Sequence, residues 1–375
     1  MRVTELACFA VDIPAKDGTY VMSHGRVAHT FPSTVVKVTS SDGTAGYGEA
    51  CTLGGNYLDG FPGSARDTIR ELADLVLQCN PFEADVLVAA MDNRLIGHLP
   101  GKAAIDHAMW DLRGKLLGQP VARLLGGVKQ RSFAAFQAIS MSTPSGMAEE
   151  LRRMADLGFR HWQLKLGGDP LEDAARVHAT VAAMPSDSRF LTSDANRGWT
   201  VAQTLRFLSA VAGIDSYLEQ PCRTIAELAR VRPHSTLPMM VDENAREASD
   251  LLQVIALGCA DALNLKPVRV GGLTKAARIR DLALAAGLMI LVDEPQGSDL
   301  SSCGMVQLAA TIDPDSFLAT SFFMGDHMPM SYRPRGREAA APALNGGIVT
   351  WNDAPGLGLE VDESILGAPF AVFPA

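Results

Sequence analysis

The sequence contains no Cys-x-x-Cys pair. Its six cysteines (Cys8, Cys51, Cys79, Cys222, Cys259 and Cys303) are scattered along the chain. Such spacing suits a reduced, cytoplasmic setting in which buried thiols act as small apolar groups. No apolar run is long enough to span a bilayer. The stretch Met1 to Pro14 has acids at Glu5 and Asp12 and no long apolar core, so no secretory leader is expected there. Positive charge is in deficit: 33 Lys and Arg against 42 Asp and Glu leave a net charge of −9. That balance disfavours nucleic acid or an anionic membrane as partner and leaves a small molecule.

The remaining composition, 47% hydrophobic and 20% charged, fits a globular enzyme. A chain of 375 residues is too long for one ordinary core, so a large domain with a smaller one is expected. Residues 1–127 read as the smaller, α+β part. Arg2 to Asp12 alternates like a strand, Ser33 to Thr39 is β-branched, and a Ser41-Asp42-Gly43 turn leads into Ala45-Gly-Tyr-Gly-Glu49. Two polar loops interrupt this meander, Lys16 to Gly25 and Thr52 to Gly63, the second carrying Tyr57 and Asp59. Helical spacing follows at 64–79, 81–97 and 103–117, closed by Gly118-Gln-Pro120.

Beyond Gly127 strands and helices alternate. Strands are expected at 132–140, 161–166, 189–194, 216–219, 239–242, 262–266, 288–292 and 317–320. Helices are expected at 144–157, 170–184, 200–212, 224–231, 247–257, 272–286 and 299–311. The alternation predicts parallel βαβ units over residues 128–345. An open nucleotide-binding sheet would need a glycine-rich turn after its first strand, and Ser140 to Pro144 has no glycine. The fold class expected is therefore α/β, a barrel of eight strands whose last helix is missing or replaced. Residues 346–375 return to short strands and are expected to pack back on the N-terminal domain.

Several of these strands end in a charged residue: Lys165, Asp194, Glu219, Asp242 and Lys266. In a parallel barrel all strands share one C-terminal rim, so these charges converge. One acid alone would be an ordinary cap of a βα turn. Three in consecutive units, with no His or Cys beside them, suit a hard divalent cation, Mg²⁺ or Mn²⁺. A carboxylate substrate on such a cation has an acidified α-proton, because the enediolate charge falls on metal-bound oxygens. Lys165 and Lys266, on opposite sides of the rim, are candidate acid/base groups, one for each face of the substrate.

The chain resembles the enolase superfamily, in the mandelate racemase and muconate lactonizing enzyme branch. The resemblance rests on Ala104-Ile-Asp-His-Ala-Met-Trp110-Asp111-Leu-Arg-Gly114-Lys115, Gly118-Gln-Pro120, Leu124-Leu-Gly-Gly127, Ser193-Asp194-Ala195-Asn196, Glu219-Gln220-Pro221, Val241-Asp242-Glu243, Asn264-Leu-Lys266, Gly271-Gly272-Leu273 and Pro355-Gly-Leu-Gly358. It implies a (β/α)7β modified TIM barrel under a capping domain built from both chain ends. It also implies Mg²⁺ on Asp194, Glu219 and Asp242, Lys165 and Lys266 as acid/base groups, and a homo-oligomer.

Within the branch the chain resembles cis-3-hydroxy-L-proline dehydratases, and next hydroxyproline betaine epimerases. Lys16-Asp-Gly-Thr-Tyr20, Tyr57, Gln163-Leu-Lys165, Gly167-Gly168-Asp169, Ala195-Asn196-Arg-Gly198-Trp199 and Cys222 carry that similarity. It implies substrate-facing positions at Tyr20, Tyr57, Gln163, Asn196, Asp293, Glu294 and Gln296. Three departures bear on substrate. Gln163 stands where the branch usually has lysine. The seventh strand end reads Asp293-Glu294-Pro295-Gln296-Gly297-Ser298-Asp299, without the usual tryptophan that a betaine cation would favour. The eighth reads Ala319-Thr320-Ser321-Phe322, where an acid near the substrate amine is expected, with Asp326 close by. Dehydration of cis-3-hydroxy-L-proline or a related imino or amino acid is the leading expectation. A racemase or epimerase of a proline derivative, a cycloisomerase and a sugar-acid dehydratase stay open. Met324-Gly-Asp326 lacks the first acid of the dipeptide-epimerase Asp-x-Asp. A non-catalytic scaffold would have no need of all three acids and both lysines.

Overall fold

The computed structural model describes residues 1–15, 18–21, 27–55, 57–58, 60–322, 330–334 and 341–375. Of the positions singled out above, Lys16, Asp17, Asp59, Met324, Gly325 and Asp326 lie outside the described residues.

Alternation and β-branching build the smaller domain. Strands β1 (Val3–Pro14), β4 (Thr30–Ser40) and β5 (Ala45–Cys51) form an antiparallel meander. Between the first two, β2 (Tyr20–Val21) pairs with β3 (Val27–Ala28). Val35, Val36 and Val38 are fully buried, as stiff β-branched side chains suit a packed sheet. Helices α1 (Pro62–Gln78), α2 (Ala84–Arg94), α3 (Leu99–Leu117) and α4 (Val121–Leu124) follow. Helix α3 is buried along most of its length, because the sheet covers one side and the barrel the other. Gly46 and Gly48 explain the Ala-Gly-Tyr-Gly-Glu49 pattern: a Cβ at either position would run into the α3 backbone at Ala108 or Ala104. The Asp111 carboxylate then accepts from Tyr47 N at 2.8 Å and Leu357 N at 2.8 Å, tying α3 to β5 and to the C-terminal segment.

The larger domain begins with β6 (Ser132–Ala134), β7 (Phe136–Ile139) and α5 (Pro144–Asp156). It continues through β8 (His161–Lys165), α6 (Pro170–Ala183), β9 (Phe190–Asp194), α7 (Val201–Ala210), β10 (Tyr217–Glu219) and α8 (Ile225–Val231). Then come β11 (Met239–Val241), α9 (Ala248–Leu257), β12 (Ala262–Leu265), α10 (Pro267–Val270) and α11 (Leu273–Ala285). Last are β13 (Met289–Val292), α12 (Asp299–Ala309) and β14 (Phe317–Thr320). Strands β7 to β14 form an eight-stranded parallel sheet in sequential order, and a bridge between Ala135 and Thr320 closes the ring. Helix starts carry the expected chemistry: Thr200 with Gln203 and Thr224 with Glu227 form capping boxes on α7 and α8.

The strand expected over 132–140 is divided at Ala135, whose N–H bonds the Gly347 carbonyl at 2.8 Å. Strand β6 therefore leaves the barrel and pairs with β16 (Ile348–Thr350), itself paired with β15 (Ala343–Asn345). After α13 (Glu363–Leu366), the last strand β17 (Ala371–Pro374) pairs antiparallel with β1. So residues 346–375 divide: their first strand lies against β6 and their last joins the capping sheet. The lower barrel lumen is filled by Phe136, Phe190, Met240, Ala262, Leu291 and Ala319. Burial of each large side chain among them contributes about 2 kcal/mol. That plug leaves only the upper, C-terminal end of the lumen for chemistry.

Candidate active site

Period 2 along the strands decides which side chains reach the lumen. Phe190 fills the bottom of the barrel, so Thr192 and Asp194 point the same way higher up. The same alternation sets Gln163 under Lys165, Tyr217 under Glu219, Met240 under Asp242, Asn264 under Lys266 and Leu291 under Asp293. Register places Lys165 beside Asp194 and Asp194 beside Glu219 on adjacent strands.

The resulting contacts form two clamps about a central acid. Lys165 Nζ donates to Asp194 Oδ2 at 2.7 Å. Lys266 Nζ donates to Asp242 Oδ2 at 2.7 Å and to the Tyr57 hydroxyl oxygen at 2.9 Å, with Asp293 Oδ2 at 3.2 Å. Glu219, between the clamps, accepts from Gln163 Nε2 at 2.9 Å and Asn264 Nδ2 at 2.6 Å. Gln220 accepts from Asp242 N at 2.9 Å and Asn244 N at 3.3 Å, which fixes the turn after β11. Arg269, on α10, donates to Asp242 and to the Asn264 carbonyl.

The electrostatics follow from burial and crowding. Asp194, Glu219 and Asp242 are fully buried. Burial, and then the Asp194 charge, push Glu219 up to about 7. Glu243 is likewise pushed up to about 7 by burial and Asp194. For Lys165, burial favours the neutral amine, but Asp194 outweighs it and the group is raised above its ordinary value. Lys266 behaves alike, with Tyr57 and Asp293 outweighing burial. Both lysines are therefore held as ammonium by their partners. Asp293 is also buried, yet Lys266 and Lys165 hold it below the usual carboxylate range. Burial drives Glu294 well above that range.

A cavity of about 210 Å³ opens above this layer. Its wall contains Lys165 and every position predicted to face substrate: Tyr20, Tyr57, Gln163, Asn196, Asp293, Glu294 and Gln296. Lys266 is not in that wall; it sits behind Tyr57 and Asp293, only 1% exposed. The carboxylates of Asp194, Glu219 and Asp242 lie beneath it. Among the described residues, no three His, Cys, Asp or Glu side chains form a ready metal cage. Lysine ammonium groups already occupy Asp194 Oδ2 and Asp242 Oδ2. The donor set nevertheless fits a hard cation. It offers oxygen only, it crowds buried acids, and Glu243 Oε2 is buried without a hydrogen-bond partner.

Two neighbours of the site were not among the expected site residues: Asn264, noted only within the Asn264-Leu-Lys266 motif, and Arg269. Asn264 stands two residues before Lys266, so period 2 alone places it on the same face. Arg269 carried no such signal, because its reach to Asp242 depends on the short helix α10, which was not foreseen.

Residues 146–365 match the family described as enolase C-terminal domain-like. Residues 5–126 match the mandelate racemase/muconate lactonizing enzyme N-terminal domain. The chain belongs to the enolase superfamily. Superfamily relatives include cis-3-hydroxy-L-proline dehydratase of Roseibium aggregatum, 37% identical over 372 residues, 99% of each chain. N-succinyl-L-Arg/Lys racemase of Bacillus cereus is 28% identical, over 98% of this chain and 97% of that protein. A solved superfamily member from Roseovarius nubinhibens ISM, complexed with magnesium, superposes with a TM-score of 0.92 at 32% identity, covering all of both chains.

Proposed function

We propose that this chain removes the α-proton of a small carboxylate substrate, and that it dehydrates cis-3-hydroxy-L-proline or a close imino acid. The observation that carries this reading is the pair of buried lysines at the second and sixth strand ends, each clamped to a strand-end aspartate. The 37% identity to a cis-3-hydroxy-L-proline dehydratase supports the substrate class.

Asp194, Glu219 and Asp242 would hold Mg²⁺, which, when bound, withdraws charge from the substrate carboxylate and so acidifies its α-carbon. In a cis-3-hydroxy-L-proline ring the α-hydrogen and the hydroxyl lie on opposite faces. One lysine, once its aspartate is given over to the cation and its ammonium has lost a proton to solvent, takes the α-proton as the C–H bond breaks. The electron pair forms the Cα–Cβ double bond, and the C–O bond breaks. The other lysine delivers its proton to the departing oxygen, which leaves as water. Asp293, held ionised by the two lysines, is the acid suited to a ring ammonium. Tyr20 and Tyr57 close the cavity from the capping side and exclude water.

The same lysine pair supports epimerisation, in which the second lysine reprotonates the opposite face. A panel of cis- and trans-3-hydroxyproline, 4-hydroxyproline, proline, their betaines and sugar acids in D₂O with Mg²⁺, followed by NMR, separates these outcomes. Exchange with elimination on cis-3-hydroxy-L-proline alone is expected. Exchange with inversion and no elimination would make the chain an epimerase. Turnover that persists in EDTA would overturn the metal assignment.

A further inference from the structure

The three strand-end acids are not held alike. Asp194 and Asp242 each accept from a lysine ammonium at 2.7 Å. Glu219 is gripped by two amides. Gln163 Nε2 donates to its Oε2 at 2.9 Å, and Asn264 Nδ2 donates to its Oε1 at 2.6 Å. Gln163 stands on β8 and Asn264 on β12, each two strands away from Glu219 on β10. The carboxylate is therefore fixed at both edges from either side of the lumen. The Thr192 hydroxyl adds a longer contact to Oε2 at 3.4 Å. An amide N–H orients a carboxylate and leaves its charge in place, which suits a hard cation.

Asn264 is the odd member of its strand. Ala262, Leu263 and Leu265 around it are buried and apolar, and asparagine is a poor strand former. Asn264 is itself fully buried. Its Nδ2 faces Glu219 and also lies 3.4 Å from Asp293 Oδ2, a longer contact. With the nitrogen turned to these two acids, Oδ1 points away from them, and it has no hydrogen-bond partner among the described residues. An unpaired buried carbonyl works against the fold. Apolar packing on β12 does not call for this side chain, whereas the two acids do. Asp293 lines the substrate cavity and lies 3.2 Å from Lys266 Nζ. One amide nitrogen thus reaches both the central acid of the metal layer and an acid in the substrate wall.

We propose that Asn264 is a positioning residue that holds Glu219 and Asp293 in one fixed relation, so that the cation and the substrate ammonium are bound as a pair. This rests on the reading above, in which Glu219 serves Mg²⁺ and Asp293 a ring ammonium. Without the Nδ2 hydrogens, Glu219 is free to turn about its last torsion and Asp293 loses a partner. Gln163 sets the other edge of Glu219, so the grip is weakened on one side and the acid stays in place.

The test uses the full chain and three variants. Asn264→Leu is similar in shape and has no polar atom, Asn264→Ala is a smaller replacement, and Asn264→Thr restores a donor. Circular dichroism and urea unfolding check the fold. Calorimetry titrates Mg²⁺ into the metal-free protein, and then L-proline, which has no hydroxyl to eliminate, into the Mg²⁺-saturated protein. The leucine and alanine variants are expected to bind Mg²⁺ about tenfold more weakly, the scale of one hydrogen bond to a charged group. They should also bind proline more weakly at saturating Mg²⁺, and threonine should recover part of both affinities. Wild-type Mg²⁺ affinity in a folded leucine or alanine variant would overturn the role of Asn264, whatever the urea midpoint does. Weaker Mg²⁺ binding with unchanged proline affinity would overturn the link to Asp293. A wild type that binds no Mg²⁺ would overturn the metal reading and this role with it. A wild type that binds Mg²⁺ and no proline would overturn the imino-acid reading together with the link to Asp293.

Discussion

The Lys266 ammonium donates to the Tyr57 hydroxyl oxygen at 2.9 Å, across 209 residues and across the boundary between the two domains. That hydroxyl in turn lies 3.3 Å from Asp242 Oδ2, the carboxylate that Lys266 also holds. The capping domain thus contributes a polar group to the innermost layer of the barrel. Tyr57→Phe keeps the ring over Lys266 and deletes this link. A fall of about tenfold in kcat/KM is expected, the scale of one hydrogen bond to a charged group. Near-ultraviolet circular dichroism should be unchanged. Wild-type kinetics would reduce the contact to packing.

The lysines divide the reaction by face. Lys165→Ala and Lys266→Ala are each expected to lose turnover by about 10²–10⁴-fold, the usual worth of a positioned acid or base. Their partial reactions should differ, because only the variant that retains the base still exchanges the α-proton with D₂O. If both variants exchange, the two-base scheme is wrong.

Glu49 is a fully buried carboxylate that joins β5 to the start of α12. It accepts from Ser33 Oγ, Ser298 Oγ and Ser301 Oγ, each at 2.7 Å, and from Ser298 N at 2.9 Å. Glu49→Ala strands these donors in a dry interface. A loss of about 3 kcal/mol is expected in urea unfolding. Glu49→Gln keeps part of the network. It should shift the turn that carries Gln296, so KM rises more than kcat falls. A fall in kcat with KM unchanged would assign Glu49 to stability alone.

His107 governs part of the acid limb. It is buried in α3, both ring nitrogens lack hydrogen-bond partners, and burial pushes its pKa down to about 4 from 6.5. A folded value below the unfolded one means stability is complete above about 6.5 and is lost as pH falls towards 4. Its neighbour Asp106 acts oppositely: burial raises it to about 6 from 3.8, so stability is gained over that window as pH falls. The two cancel in the wild type, and a variant separates them. His107→Met should gain about 2 kcal/mol relative to wild type between about pH 7.5 and pH 5. Urea midpoints at both pH values measure it, and a constant difference would exclude a neutral buried imidazole.

Much of the barrel was legible because its signals are local. The apolar runs that end at Lys165, Asp194, Glu219, Asp242 and Lys266 mark strand, direction and rim at once, and period 2 orients each end. The division of the stretch 132–140 was not legible. Its residues suit a strand throughout, and only the arrival of Gly347 at Ala135 decides where the chain changes partners.

By itself the sequence determined the α/β alternation and the strand-end acids and lysines, since each follows from spacing along one segment, while the capping arrangement and the positions that line the cavity came from motifs shared with the enolase superfamily. Tertiary structure alone decided the rest. It put Tyr57 on Lys266, Glu49 under α12 and Arg269 on Asp242. Those contacts join segments up to 252 residues apart, as Glu49 and Ser301 show. Their geometry depends on how α3 seats the cap on the rim, and no local pattern encodes that.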